Sequence, residues 1–250
     1  MRAAKFIPPL LMLALFLFAW HGLSVFFAHG FLPSPLGVMY GTIEIINEEV
    51  FWSSLLLTIQ RVCAGFLLAL FLGASIGVLI GLYKNLEIAF KPYLIVALTI
   101  PALCWTTISI LLFGIGEWTA IFSISVIVAP FITVNILSGM KALDPSLQQM
   151  AKAFNMEPST IYKKIIYPQL MPYFISTIRY GVALSWKVVV IVEMLGLSSG
   201  VGYQISFWFN MFSMEKVIGW TLLFTSFMFF IEYAIIRPYE VHTNSWRGNS

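Results

Sequence analysis

From Ile7 to Phe27 the chain carries no charged residue, and long apolar runs recur along it as far as Ile236. A bilayer crossing needs roughly 20 consecutive apolar residues. These runs, more than any catalytic motif, set what the chain can fold into. Inside a bilayer every backbone N–H and C=O must be satisfied by protein, which leaves helices or closed barrels. The runs are continuous and do not alternate in segments of about ten residues, so a barrel is excluded. Composition agrees. Of 250 residues, 60% are hydrophobic and 10% charged, with a mean hydropathy of +0.90, whereas a soluble domain averages about 25% charged. An ordinary soluble enzyme, a disordered chain and a secreted disulfide scaffold are thereby excluded. The fold class expected is an all-α polytopic membrane protein, residues 1–250 forming one membrane domain.

Six crossings are expected: Ile7–Phe27, about Leu55–Tyr83, Tyr93–Phe113 interrupted by Pro101, Trp118–Gly139 with Pro130 inside it, Met171–Leu197, and Val217–Ile236. The first competes with a cleaved signal peptide. It is longer than a usual h-region and has no clear small-x-small site, so a retained helix is favoured. With the amino terminus in the cytoplasm, ten Lys and Arg residues fall inside: Arg2, Lys5, Lys84, Lys91, Lys141, Lys152, Lys163, Lys164, Arg237 and Arg247. Only Lys216 falls outside. This positive-inside bias puts both termini in the cytoplasm. The outer segment 28–54 reads as a loop broken by Pro33 and Pro35, then an interfacial helix. Val38, Ile43 and Ile46 form its apolar side, with Glu44, Glu48 and Glu49 opposite. The residues 198–215 form a second outer segment.

Within the spans, Gly65, Ala69, Gly73, Gly77 and Gly81 recur at every fourth position. A small face lets helix backbones approach closely, either in a dimer seam or against a neighbouring span. Asn135 must find hydrogen-bond partners. Charges at membrane depth are expensive and pair or line water. Arg61 and Glu193 fall toward the outer ends of their spans and form a candidate interhelical pair. Lys187 lies mid-span, either as a substrate-facing cation or as a donor to neighbouring carbonyls. Arg179 and Glu232 lie nearer the inner face, where they can snorkel or pair. Cys63 and Cys104 sit in apolar runs and read as small fillers.

The long inner loop, 140–168, is the most informative stretch. Asp144-Pro145 is a helix start, an N-cap followed by an N1 proline. Leu147, Met150, Ala151 and Phe154 then make one apolar stripe. Asn155 tolerates the left-handed conformation that ends helices. Pro158 opens a second helical segment, and Pro168 is expected to end it. Such an amphipathic helix–turn–helix needs a surface to cover it, and docking to a partner is favoured over lying on the membrane.

In its spacing this loop resembles the EAA loop, E-A-A-x-x-x-G followed after nine residues by I-x-L-P, of permease subunits of bacterial ABC importers. Gln149, Met150 and Ala151 fall on E-A-A, Asn155 on the glycine, and Ile165 to Pro168 on I-x-L-P. FLPSP (31–35), TIQRVCAGF (58–66), LLFGIGEW (111–118) and VEMLGLSSGVGY (192–203) resemble, in this order, the nitrate/sulfonate/taurine-type subgroup. The resemblance implies a multi-pass permease in the bacterial inner membrane. It implies a second permease subunit, identical or paralogous, two ATP-binding subunits and a periplasmic or lipid-anchored substrate-binding protein. No nucleic acid is implied. Gln149, Ala151, Asn155, Met156, Pro158 and Ser159 would lie in or near the ATPase cleft. The pathway would draw on Arg61, Asn135, Lys187 and Glu193, and the substrate would be a small anion, a sulfonate or another small metabolite. No cofactor or metal is expected in this chain, since ATP and Mg would sit on the partner and there is no G-x-x-x-x-G-K-[ST] loop. A secondary transporter is the alternative, but no internal repeat supports it. An enzyme is disfavoured, because H-E-x-x-H and G-x-S-x-G are both missing from the sequence.

Overall fold

A computed structural model describes residues 7–27, 32–236 and 238. Arg2, Lys5, Phe31, Arg237 and Arg247 lie outside the described residues. The described chain is helical throughout, in the order α1 (Ile7–Phe26), α2 (Pro35–Asn47), α3 (Glu49–Leu82), α4 (Lys84–Thr99), α5 (Ala102–Phe113), α6 (Glu117–Lys141), α7 (Pro145–Ala153), α8 (Pro158–Ile161), α9 (Tyr167–Gly196), α10 (Val201–Asn210) and α11 (Met214–Ile231). Two π turns, Tyr162–Ile166 and Glu232–Ile236, interrupt the α geometry.

The glycine face of α3 packs within the chain, against α6. A Cβ on Gly65 would meet Ile124, one on Gly73 would meet Ile132, one on Gly77 would meet Ile136 and one on Gly81 would meet Met140. The Ser125 and Thr133 hydroxyls donate to the Gly65 and Gly73 carbonyls at 3.1 Å, bonds that only backbones in close approach allow. Of the two roles open to the small face, the dimer seam is therefore removed. The offset between the two helices is constant (124 − 65, 132 − 73, 136 − 77 and 140 − 81 are all 59), so α3 and α6 run parallel.

That parallel pairing decides the topology between them. The chain must return to its starting end between α3 and α6, and only α4 and α5 are available for the return. They meet at 95°. The break falls where Pro101 forces Ile100 into an extended conformation, φ −65° and ψ 125°. The third crossing thus begins at Lys84, earlier than Tyr93, and is one broken span. Pro130, by contrast, is accommodated within α6.

Among the described residues, four helical stretches are long and apolar enough to cross a bilayer, and the broken pair, taken as one span, makes a fifth. The sixth expected crossing corresponds to α1, which is 20 residues long and stands apart from the bundle. The fifth crossing also begins earlier than expected, because the helix runs on from Pro158 through the π turn into α9. Pro168 does not end it. Proline has no N–H to donate to Lys164 O and its ring clashes there. Tyr167 N–H reaches back five residues to Tyr162 O, widening the turn into π geometry.

α3, α6 and α9 enclose the main core around Phe66, Ile124, Val128, Ile132, Trp186 and Val189. A second core near the start of α3 joins Ile45, Phe51, Leu55, Val201, Ile205 and Trp220. Here α2 buries Val38, Gly41 and Ile45, a stripe rotated from the expected one, which leaves Ile43 and Ile46 exposed. Ser34 caps α2 by accepting from Gly37 N–H at 3.0 Å. Lys216 pulls α2 and α10 toward the start of α11: it lies 3.2 Å from Glu44 and 4.1 Å from the centre of the Trp208 ring.

Replacing Gly73 by alanine sets a methyl 2.6 Å from the Ala129 carbonyl oxygen, a backbone atom with no rotamer to change. The expected loss is about 1–3 kcal/mol, as for other overpacked contacts. Gly22→Ala, with nothing within 4 Å, should leave thermal unfolding of the detergent-solubilised chain unchanged. Equal shifts for the two variants would refute the seam.

Candidate functional site

The chain concentrates its buried polarity at the end of the bundle opposite the 140–168 loop. Arg61, on α3, is 2% exposed. A guanidinium has five N–H donors in a fixed fork, and all five are used. Nε and one Nη2 proton go to Glu117 at 2.8 and 2.6 Å. The other Nη2 proton goes to Ser199 Oγ at 2.8 Å. Nη1 donates to Glu193 and to the Ser199 carbonyl, both at 2.8 Å. Glu193, on α9 and fully buried, also accepts from Gly202 N–H at 2.8 Å and from the Thr58 hydroxyl at 2.9 Å. Thr58 in turn accepts from Val201 N–H at 3.0 Å.

The 198–202 turn is shaped for this. Gly200 has φ +101°, and a Cβ there would fall on the Glu193 carboxylate. The cluster joins α3, the start of α6, the end of α9 and the start of α10. The expected Arg61–Glu193 pair is present, but its principal partner had been missed. Glu117 is the first residue of α6 and grips Arg61 with both oxygens. A signal for it exists in the sequence: an acid at a span end facing the same end as the lone arginine.

Lys187 lies elsewhere. It is exposed and makes no hydrogen bond or ion pair among the described residues. It lines a cavity of about 660 Å³ between α9, α10 and α11, with Trp186, Met194, Phe224 and Met228 among the walls. The buried indole N–H of Trp186 also lacks a partner among the described residues. Thr221 and Thr225 add hydroxyls. At the loop end of this cavity Glu232 pairs with Arg179 at 2.7 Å. Asn135 joins neither group, since its amide donates to Phe131 O of its own helix at 2.9 Å.

At the opposite end stands the 140–168 loop. Asp144 opens α7 by accepting from the hydroxyl and the N–H of Ser146 at 2.7 and 2.8 Å. These bonds, the hydroxyl's first and the N–H's second, hold its carboxyl below the usual carboxylate range. The cap is therefore fully present above about pH 4 and is lost as pH falls below that range. Gln169, unassigned from the sequence, clasps the two ends of the loop: its Oε1 accepts from Asp144 N–H at 2.9 Å.

α7 ends in a Schellman motif, with Asn155 left-handed at φ 52° and Met156 N–H donating to Ala151 O at 3.0 Å. Gln149, Asn155, Pro158 and Ser159 are exposed and Met156 is half-buried. Ala151 is fully buried, so it seats the helix and presents no surface. The apolar stripe stays uncovered by the chain itself: Leu147 and Met150 are exposed, and Phe154 is 76% exposed.

Crossings tied at one end by a charged clamp, with a helical loop left uncovered at the other, define a polytopic membrane protein. Residues 65–237 match the binding-protein-dependent transport system inner membrane components, and the chain belongs to that family of ABC importer permeases. It is 29% identical over 214 residues to the nitrate import permease protein NrtB of Synechococcus elongatus, covering 82% of this chain and 77% of that one. With the protein named "Putative aliphatic sulfonates transport permease protein SsuC" of Bacillus subtilis it shares 32% over 174 residues, 70% of this chain and 63% of that one. Its fold is that of the inward-facing MetNI methionine ABC transporter, at a TM-score of 0.60 and 18% identity over 75% of this chain and 93% of that chain. An amino acid ABC transporter with histidines matches at a TM-score of 0.62 and 17% identity, over 76% and 92%.

Arg61→Met leaves Glu193 buried without its cation and should lower stability by about 3–5 kcal/mol. The double variant Arg61→Met/Glu193→Met removes both charges and should recover much of that loss in thermal unfolding. A double variant no better than the single would refute mutual neutralisation as the reason for the cluster.

Proposed function

We propose that this chain is the non-catalytic permease subunit of an ATP-driven importer in the bacterial inner membrane. It forms the translocation pathway with a second permease subunit and couples through residues 144–168 to two separate ATP-binding subunits. The observation that carries the coupling is the uncovered apolar stripe of α7, held out at a loop whose ends are clasped by Gln169. Leu147, Met150 and Phe154 would insert between partner helices, in a helix-in-groove mode. Gln149, Asn155, Pro158 and Ser159 would frame the contact. ATP and Mg would be held by the partner. A periplasmic or lipid-anchored binding protein would deliver the substrate.

Alternating access would then be a population shift driven by the differential fit of the ATPase pair to this loop. The Arg61 cluster would keep the opposite ends of α3, α6 and α9 moving as one body. Lys187 supports a small anion or sulfonate-like substrate: its cavity offers one ammonium without an ion pair and the Thr225 hydroxyl among apolar walls. The relatives named for nitrate and aliphatic sulfonates point the same way.

Two measurements test this. In a chain with Cys63 and Cys104 replaced by serine, Asn155→Cys should crosslink to the ATP-binding subunit. Absence of crosslinks from every position between 147 and 159 would overturn docking. Lys187→Met should reduce uptake at least tenfold, as expected for losing a charged contact, while the assembled complex still forms. Unchanged uptake would remove Lys187 from the pathway.

A further inference from the structure

α4 buries none of its residues against the rest of the chain. It leaves α5 at 95°, and between it and α6 lies a cavity of about 300 Å³, which Ile80 of α3 also lines. Two matched stripes face this gap. On α4, Glu87, Lys91, Leu94, Ile95 and Leu98 follow helical spacing, and on α6 so do Val134, Leu137, Ser138 and Lys141. Both stripes are charged at the loop end and apolar beyond it.

Lys141 pairs with Glu87 across the mouth of the gap. Lys91 makes no hydrogen bond or close ion pair among the described residues, and Lys84 lies one turn before Glu87. Three lysines against one glutamate leave two positive charges at the mouth. Below it Leu94, Leu98, Val134 and Leu137 offer a hydrocarbon slot.

We infer that this gap is a binding site for an anionic phospholipid, whose phosphate is held by Lys91 and Lys141 and whose acyl chain lies between α4 and α6. Basic pockets between membrane helices at a membrane surface recognise such headgroups. The apolar slot below the lysines distinguishes a lipid from a free phosphate, which would leave the slot empty. Charge complementarity also favours a lipid over a second copy of the chain. A symmetric copy would bring the same lysines to this face. The lipid supplies the packing that α4 lacks and so holds the angle of the broken span.

The test uses the full chain in detergent, with bound lipid read by native mass spectrometry. One dioleoyl phosphatidylglycerol should be retained per chain and dioleoyl phosphatidylcholine should not. Glycerol phosphate should fail to displace it. K91Q breaks no ion pair and should weaken retention several-fold, and K91Q/K141Q by about 30-fold, the effect expected of two surface lysines. K91R/K141R should retain the lipid, which separates lost charge from lost folding. Equal retention of phosphatidylcholine, displacement by glycerol phosphate, or undiminished binding to K91Q/K141Q would each overturn the site. So would Leu94→Cys crosslinking two copies of the chain with no lipid retained, which would make this face a protein interface.

Discussion

A guanidinium within a membrane helix must find acceptors for five protons or destabilise everything around it. Arg61 finds them on three other segments: Glu117 at the start of α6, Glu193 near the end of α9, and Ser199 in the turn that leads to α10. None of these can move without stranding a buried charge. The far end of the bundle is therefore a single body, and two glycines complete it. Gly200 takes a conformation that L side chains rarely adopt, and Gly202 brings its N–H onto the Glu193 carboxylate.

Below that clamp a different physics takes over. α3 and α6 lie close along their length because glycine on one helix meets a branched or long side chain on the other. In a bilayer this packing is the main source of helix association, since lipid offers no hydrophobic drive. Its parallel sense obliges the chain to return between the two helices, and a proline-broken span makes that return. The break leaves α4 poorly covered, at the same end as the loop that presents α7. One end of the protein is tied together by buried charge, and the other leaves helix faces that the chain itself does not cover.

The π turn before α9 belongs with this asymmetry. Pro168 cannot complete the α-helical ladder, so one turn is widened where the 140–168 loop joins α9. The Gln169 clasp ties the same junction to the start of α7.

Much of this was legible in the sequence. Run lengths marked the crossings, Asp144-Pro145 and Asn155 marked the ends of α7, and Arg61 with Glu193 marked a pair. What escaped depends on distance in space. The small face of α3 has the same spacing whether it meets a second copy or α6, and only the packed helices chose α6. Glu117 lies 56 residues from Arg61, and no local pattern connects them. Ile43 and Ile46 looked like the buried face of α2 until Gly219 and Trp220 turned Ile45 inward. The sequence by itself determined that this chain is a helical membrane protein and which stretches are apolar enough to cross, because those properties follow from hydration and local backbone chemistry. Only the tertiary structure decided which polar groups satisfy one another and which helix faces are left over, because in a bilayer that depends on which segments are brought within 3 Å of each other.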